Sequence, residues 1–159
     1  MARKVFFSFH YSDILLVSRI RNSWRLRPDS ETQPFHDRAE WEKVQRESPA
    51  TIKNWIDSQL KGSSVTAVLV GLETSKRPWV KHEIESSIAQ KKGIIFIDLG
   101  GMKTTQGYYY RSGTNPANWT LTRTGQRLGS YYKSYNWERD NGYENMGKWV
   151  EDAFNAPKP

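Results

Sequence analysis

The chain lacks several residue types and patterns, and each absence excludes a class of protein. Its 159 residues include no cysteine, which excludes disulfides, thiolate metal sites and cysteine nucleophiles and agrees with a reducing compartment. No stretch approaches the roughly 18 apolar residues of a membrane span. The apolar run near the N-terminus is too short for the core of a signal peptide. We therefore expect a cytoplasmic protein.

Common motifs of nucleotide-binding and hydrolytic enzymes are absent as well. No GxGxxG follows the first predicted strand, and no Walker A, HExxH or GxSxG motif occurs in the chain. The three histidines, His10, His36 and His82, are too scattered to indicate a metal site. The sequence therefore predicts no metal site. It leaves open an α/β enzyme that lacks these motifs.

Basic and aromatic residues are abundant. The 24 lysines and arginines outnumber the 17 acidic residues, so the formal net charge is +7, and the chain contains seven tryptophans. Such a charge favours anionic partners, whether a nucleic acid, an anionic lipid or a phosphate-bearing ligand. The aromatic side chains can bury a large apolar surface in a chain of this length.

Hydrophobic periodicity predicts strands and helices that alternate along the chain. Predicted strands cover residues 4–9, Val65–Val70, 94–99 and 131–137, with a short strand at 34–36. Predicted helices begin after Ser12 or Asp13, at Pro49, at Pro78 and at Tyr143, where Tyr143, Met146, Val150, Ala153 and Phe154 form the apolar stripe. Residues 25–37 and 100–130 read as loops. The alternation predicts an α/β sandwich with a parallel sheet, in which ligands bind beyond the carboxyl ends of the strands.

The stretch RPWVKHEIE, residues 77–85, opens the helix that follows the buried strand Val65–Val70. At about 100° per residue, Val80 and Ile84 lie on the buried stripe, while Trp79 and Glu83 lie on a neighbouring line about 40° apart. Glu83 should therefore border the core close to the strand ends. A carboxylate beside an indole suits the binding of a polar ligand in a partly dry cleft.

The spacing Trp79-x-x-x-Glu83 resembles the WxxxE motif of catalytic TIR domains. A wider set of segments is similar to the TIR-like family that supplies the signal-producing (ThsB-like) protein of bacterial Thoeris anti-phage defence. These segments are KVFFSFHYSD, RNSW, FHDRAEWE, SSVTAVLVG, RPWVKHEIESSI and YNWERDNGYENMGKWVEDA. The resemblance covers nearly the whole chain, with a reduced segment around 100–130. It implies one flavodoxin-like (TIR-like) domain over residues 1–159, a three-layer sandwich with a mainly parallel central sheet.

The resemblance also implies an activity, the cleavage of NAD at the nicotinamide–ribose bond, with Glu83 as the catalytic residue. NAD is then a substrate, and no cofactor is expected. Breaking this bond builds positive charge on the ribose, which an ionised carboxylate can stabilise. In the family the product is a nucleotide signal, a cyclic ADP-ribose isomer or an ADP-ribose conjugate, that activates a separate effector. We also expect the chain to associate with a second copy of itself on activation. We expect it to bind neither a membrane nor a nucleic acid.

The resemblance further implies six substrate-binding positions. They are Phe9, His10 and Tyr11 after the first strand, Asp37 and Arg38 in the loop after the first helix, and Trp79 beside the nicotinamide. Four of them have a structural interpretation too: Trp79 as part of the core, His10 as a loop histidine bonded to its neighbours, and Asp37 and Arg38 as a solvated turn. For the tyrosine-rich segments 108–111 and 131–135, packing is favoured over stacking on a nucleic acid.

Three alternatives to the NAD-consuming enzyme remain open from the sequence. A nucleoside deoxyribosyltransferase-like enzyme would also use a glutamate, although the positive charge favours a pyrophosphate substrate over an uncharged nucleoside. A non-catalytic TIR-like module would act by assembly through head-to-tail contacts. A nucleic-acid-binding domain rests on charge and aromatic content alone, and would bind in a strongly salt-dependent way.

Overall fold

A parallel β-sheet organises the protein. The computed structural model describes residues 3–25, 30–32 and 46–159. Its main sheet contains β1 (Arg3–Ser8), β2 (Ser30–Thr32), β3 (Val65–Val70), β4 (Gly93–Asp98) and β7 (Ser134–Asn136). The strand order is β2-β1-β3-β4-β7, and all four neighbouring pairs are parallel. The predicted α/β fold with a parallel sheet is thus confirmed.

Four α-helices lie in the described residues: α1 (Ile14–Arg25), α2 (Pro49–Leu60), α3 (Pro78–Ala89) and, after the last strand, α4 (Gly142–Asn155). The predicted start of α2 is confirmed, because the Ser48 hydroxyl accepts a hydrogen bond from the Thr51 amide (3.2 Å) and Pro49 takes the first helical position. Pro78 takes the first helical position of α3, where no side chain caps the helix start. None of the helices within the described ranges is both long and apolar enough to cross a membrane.

Both faces of the sheet are covered by helices, which explains the continuous apolar strands. On one face, α1 and α4 pack against alternate residues of β1, β3 and β4, such as Val5, Ala67 and Ile95. On the other face, α3 packs against the intervening residues, such as Val68 and Phe96, and α2 packs against Phe6. The layers are therefore helix, sheet and helix, as the resemblance implies.

Several predicted boundaries are wrong. The segment predicted as a loop at 25–37 contains the edge strand β2, which forms through its pairing with β1 (Arg3 opposite Ser30); the predicted strand at 34–36 lies outside the described residues. The last strand is shorter than the predicted 131–137, because the amides of Tyr131 and Tyr132 bond to the Leu128 carbonyl in a turn instead of to a neighbouring strand. The predicted loop at 100–130 contains a small hairpin, β5 (Thr120–Leu121) and β6 (Gln126–Arg127).

The buried stripe of α4 also differs from the prediction. Tyr143 is 66% exposed, whereas Trp149, which the stripe omitted, is buried. Trp149 stacks on Tyr135 with ring centroids 4.2 Å apart. Phe154 lies at the edge of the stripe, where the guanidinium of Arg3 sits 3.7 Å from its ring centroid. The start of α4 therefore extends beyond the packed face, and the large indole further along fills the core.

Candidate active site

Glu83 lies on the buried face of α3, beside Ser8 at the carboxyl end of β1. It is only 3% exposed, so it is buried more deeply than a residue on the border of the stripe. Its Oε1 atom forms an ion pair with Nη1 of Arg77 at 3.3 Å. The Arg77 side chain is also largely buried and donates a hydrogen bond to the carbonyl oxygen of Phe9. A buried cation and a buried carboxylate thus meet at the end of β1.

The environment of Glu83 changes its acidity. Burial, the largest influence, raises the pKa of its carboxyl above the ordinary glutamate value because a low-dielectric surrounding disfavours the charged form. The positive charge of Arg77, a contribution from the Ser8 hydroxyl and the nearby His82 each lower this pKa, but burial outweighs them. Glu83 therefore titrates at higher pH than an exposed glutamate.

Two polar atoms at this place have no hydrogen-bond partner within the described part of the chain. They are Oε2 of Glu83 and Oγ of Ser8, the last residue of β1. The Ser8 hydroxyl is close enough to the Glu83 carboxyl to lower its pKa, but it makes no hydrogen bond of good geometry there. Such a contact leaves both atoms largely unsatisfied, because a hydrogen bond weakens steeply when it is misaligned.

The turn between β3 and α3 positions Arg77. The Thr74 hydroxyl accepts a hydrogen bond from the Gly71 amide (2.8 Å) and donates one to the Leu69 carbonyl (3.1 Å), which fixes the short 3₁₀ turn Thr74–Lys76. Arg77 follows directly as the residue that caps α3. The sequence does not predict a role for Arg77, because helical periodicity places only residues inside the helix. A basic residue two positions before the tryptophan of a WxxxE motif is the signal that could have drawn attention to it.

The predicted substrate-binding residues of the first loop lie at this end of β1. Phe9 packs partly against the main core, and Tyr11 places its ring 6.4 Å from the Phe9 ring. His10 Nδ1 accepts a hydrogen bond from the Ser12 amide (3.0 Å), which agrees with the interpretation of a loop histidine bonded to its neighbours. Through its carbonyl, Phe9 is the predicted residue most directly tied to the Arg77–Glu83 pair.

The Trp79 side chain packs in a different part of the interior from the carboxylate of Glu83, its predicted partner in the site. It is half-buried and packs against the cluster of Phe6 with α2, and its ring meets His82 edge to face at 6.4 Å. This packing agrees with the interpretation of Trp79 as part of the core.

Asp37 and Arg38 lie outside the described residues. Across the described ranges, no group of histidine and carboxylate side chains could hold a metal ion.

Known proteins are similar to this chain over most of its length. The family model for the TIR-like domain of the Thoeris protein ThsB matches residues 6–104. The chain belongs to this family. The matched range contains Ser8, Arg77 and Glu83. The chain is also 29% identical to a protein of Bacillus cereus (strain MSX-D12) named "Putative cyclic ADP-D-ribose synthase ThsB1", over an alignment of 191 positions that covers 94% of this chain and 100% of the relative.

This ThsB-family chain has a second buried carboxyl, in the short turn before α1. Asp13 is buried, and the Tyr110 hydroxyl donates a hydrogen bond to its Oδ1. The same hydroxyl accepts a longer hydrogen bond from the Leu72 amide (3.4 Å). Burial raises the pKa of Asp13, while the bond from Tyr110 lowers it in part. The segment after β4 is thereby attached to the ends of β1 and β3.

The backbone at Gly71 approaches both of its neighbours closely. A Cβ atom on Gly71 would lie 2.1 Å from Oδ2 of Asp13, and a Cβ atom on Gly113 would lie 2.0 Å from the Gly71 carbonyl oxygen. Only glycine fits at these positions. Of the tyrosines at 108–111, Tyr110 packs against the core as predicted, whereas Tyr108 and Tyr109 are exposed, so the packing prediction is wrong for these two.

Proposed function

We propose that this ThsB-family protein is an NAD-consuming enzyme that cleaves the nicotinamide–ribose bond and makes a signal nucleotide, a cyclic ADP-ribose isomer or an ADP-ribose conjugate. The nucleotide activates a separate effector in anti-phage defence. The observation that carries the proposal is the buried carboxylate of Glu83 beside the carboxyl end of β1, with one oxygen held by Arg77 and the other without a partner among the described residues. The family and the name of the Bacillus cereus relative support it.

The chemistry requires a negative charge at the place where positive charge develops. When the bond between C1′ and the pyridinium nitrogen breaks, the electron pair goes to nicotinamide, which leaves as a neutral molecule. The ribose carries the positive charge, and the carboxylate of Glu83 stabilises it. A nucleophile then attacks C1′ and loses a proton. Water as nucleophile gives ADP-ribose, and an atom of the same adenosine half gives a cyclic product.

Arg77 acts on the charge state of Glu83. Burial raises the pKa of Glu83 and so favours the protonated carboxyl, but the reaction needs the carboxylate, and the guanidinium opposes the effect of burial. Because Glu83 is almost fully covered, a nucleotide can reach it only after the side chains around it rearrange. Self-association on activation, which we also propose, is one event that can drive such a change.

The substrate-binding residues that we propose are the ones implied by the resemblance: Phe9, His10, Tyr11, Asp37, Arg38 and Trp79. Phe9, His10 and Tyr11 follow β1 directly, where ligands bind in open parallel sheets. Their closeness to the Arg77–Glu83 pair supports this part of the proposal.

Mass spectrometry of nicotinamide release from millimolar NAD tests the proposal. The wild type should release nicotinamide, while Glu83→Gln, which keeps the shape and removes the charge, should lose about 10²–10³-fold in rate. Glu85→Gln is the matched control, since Glu85 is two residues further along the same helix, exposed and paired with Lys81. It should keep the wild-type rate. Equal release by wild type and Glu83→Gln would refute the role of Glu83.

The adenine-containing product completes the test. Its mass and retention time distinguish a linear, a cyclic and a conjugated ADP-ribose. The same measurement in lysate of phage-infected cells that contain the protein covers the case in which activation depends on infection. No nicotinamide release in either setting would refute the enzymatic function.

An assembly module without catalysis is the second candidate, favoured by the enclosure of Glu83. Exposed apolar side chains occur at Leu15 in α1, at Leu72 after β3, and at Tyr108 and Tyr109 in the segment after β4. This candidate predicts concentration-dependent self-association in sedimentation velocity and no consumption of NAD. Glu83→Gln would then change stability alone.

A further inference from the structure

The end of β1 carries a buried hydroxyl that the protein leaves unbonded. Ser8 is 0% exposed, and within the described ranges its Oγ makes no hydrogen bond. Oε2 of Glu83, on the adjoining face of α3, is equally enclosed and equally unbonded. Buried polar atoms nearly always have partners, so two unbonded ones on neighbouring residues require an explanation.

Ser87, on the same helix α3 as Glu83, is a buried serine with a structural role. It is as buried as Ser8, and its hydroxyl lies 2.7 Å from the Thr66 hydroxyl and donates to the Glu83 carbonyl oxygen at 2.7 Å. The fold can therefore satisfy a buried serine at this interface between α3 and the sheet. The unbonded hydroxyl of Ser8, by contrast, adjoins a second unbonded atom, Oε2 of Glu83.

The two unbonded atoms have complementary chemistry. An ionised carboxylate only accepts hydrogen bonds, whereas a serine hydroxyl can donate one. A ligand hydroxyl between them would donate to Oε2 of Glu83 and accept from Ser8. A phosphate would be repelled by the carboxylate, and an apolar group would leave both atoms unsatisfied. The neighbouring Arg77 occupies Oε1, so Oε2 is the oxygen left for such a ligand.

We propose that Ser8 is a substrate-binding residue which, together with Glu83, binds one ribose hydroxyl of the substrate and so selects ribose over deoxyribose. This inference rests on the proposed function and adds a residue to the same site. The Ser8 hydroxyl also lowers the pKa of Glu83, which agrees with a hydroxyl directed towards the carboxyl.

The test compares NAD with its analogues that lack the 2′- or the 3′-hydroxyl of the nicotinamide ribose. For the wild type and for Ser8→Ala, kcat/KM is measured for each substrate, and the ratio of NAD to analogue is compared between the two proteins. The different intrinsic reactivity of the analogues cancels in this comparison. For one analogue, Ser8→Ala should reduce the ratio by about 2- to 10-fold, the effect of one neutral hydrogen bond.

Thermal unfolding supplies a readout without catalysis. Ser8→Ala removes an unsatisfied buried polar group, so its melting temperature should equal or exceed that of the wild type. Ser87→Ala is the matched control: it removes a bonded hydroxyl, so it should melt at a lower temperature while keeping the wild-type ratio between NAD and its analogues. A lower melting temperature for Ser8→Ala would show that its hydroxyl has a structural partner and would overturn the inference.

The outcomes separate this inference from the proposed function. Nicotinamide release with the same ratio in wild type and Ser8→Ala overturns the inference alone. No release by the wild type, either as pure protein or in lysate of phage-infected cells, overturns the proposed function. In that case calorimetric titration of both proteins with NAD and the two analogues decides: a preference for NAD that Ser8→Ala weakens supports the hydroxyl site, and equal preferences overturn it.

Discussion

Replacement of Arg77 by methionine should destabilise the protein strongly and in a pH-dependent way. Nη1 of Arg77 lies 3.3 Å from Oε1 of Glu83, and the side chains are only 13% and 4% exposed. At an effective dielectric constant of about 20, two unit charges at this distance interact by about 5 kcal/mol. Removing one partner of a buried pair costs about 3–5 kcal/mol, because the other charge stays buried without compensation.

The size of this effect makes it easy to measure. A domain of this size has a stability of about 5–15 kcal/mol, so the loss is a large fraction of the total. It corresponds to a fall of roughly 6–20 °C in melting temperature. Urea unfolding of the wild type, Arg77→Met, Glu83→Gln and the double variant gives the coupling energy of the pair. Part of the cost should persist in the Glu83→Gln background, because Arg77 also binds the Phe9 carbonyl.

The pH dependence has a definite sign. Burial raises the pKa of Glu83 in the folded protein, and loss of Arg77 raises it further. A carboxyl with a raised folded pKa binds its proton more tightly in the folded state, so its contribution to stability is lost as pH rises from the unfolded value through the folded one. The loss in free energy of unfolding caused by Arg77→Met should therefore grow with pH across this range and be smallest in acid.

Two results would refute the reasoning about the ion pair. One is an equal cost of Arg77→Met in the wild-type and Glu83→Gln backgrounds, and the other is a cost that does not change with pH. Lys81→Met serves as a control, since the Lys81–Glu85 pair is 3.8 Å long and exposed. It should change stability by at most about 0.5 kcal/mol.

Further predictions concern the surrounding structure. Gly71→Ala should cost about 1–3 kcal/mol in urea unfolding, since the new Cβ would meet Oδ2 of Asp13. Tyr110→Phe should cost about 1–3 kcal/mol at neutral pH and less in acid, because it removes the donor to buried Asp13; an unchanged stability would contradict this bond. Ser48→Ala should cost about 0.5–2 kcal/mol without altering NAD consumption. Nicotinamide release should decline in acid at a pH above the ordinary glutamate range, because burial raises the pKa of Glu83.

The sequence by itself determined the kinds of elements and most of their starts. Ser48 and Pro49 cap α2 through local hydrogen bonding and a fixed backbone angle, and both effects are visible in consecutive residues. The continuous apolar run Val65–Val70 has the predicted bounds, because a strand covered on both faces needs no alternation. Periodicity also placed Glu83 near the core side of α3.

Only the tertiary structure decided the electrical surroundings of Glu83. Its ion pair with Arg77 and its contact with Ser8 join a residue before the helix, a residue within it and the end of a strand. The bond between Asp13 and Tyr110 spans 97 positions of the chain. Periodicity records which side of one element is apolar, but distances between groups on different elements follow from how those elements pack. The acidity and accessibility of a carboxyl depend on those distances, and the sequence pattern alone does not contain them.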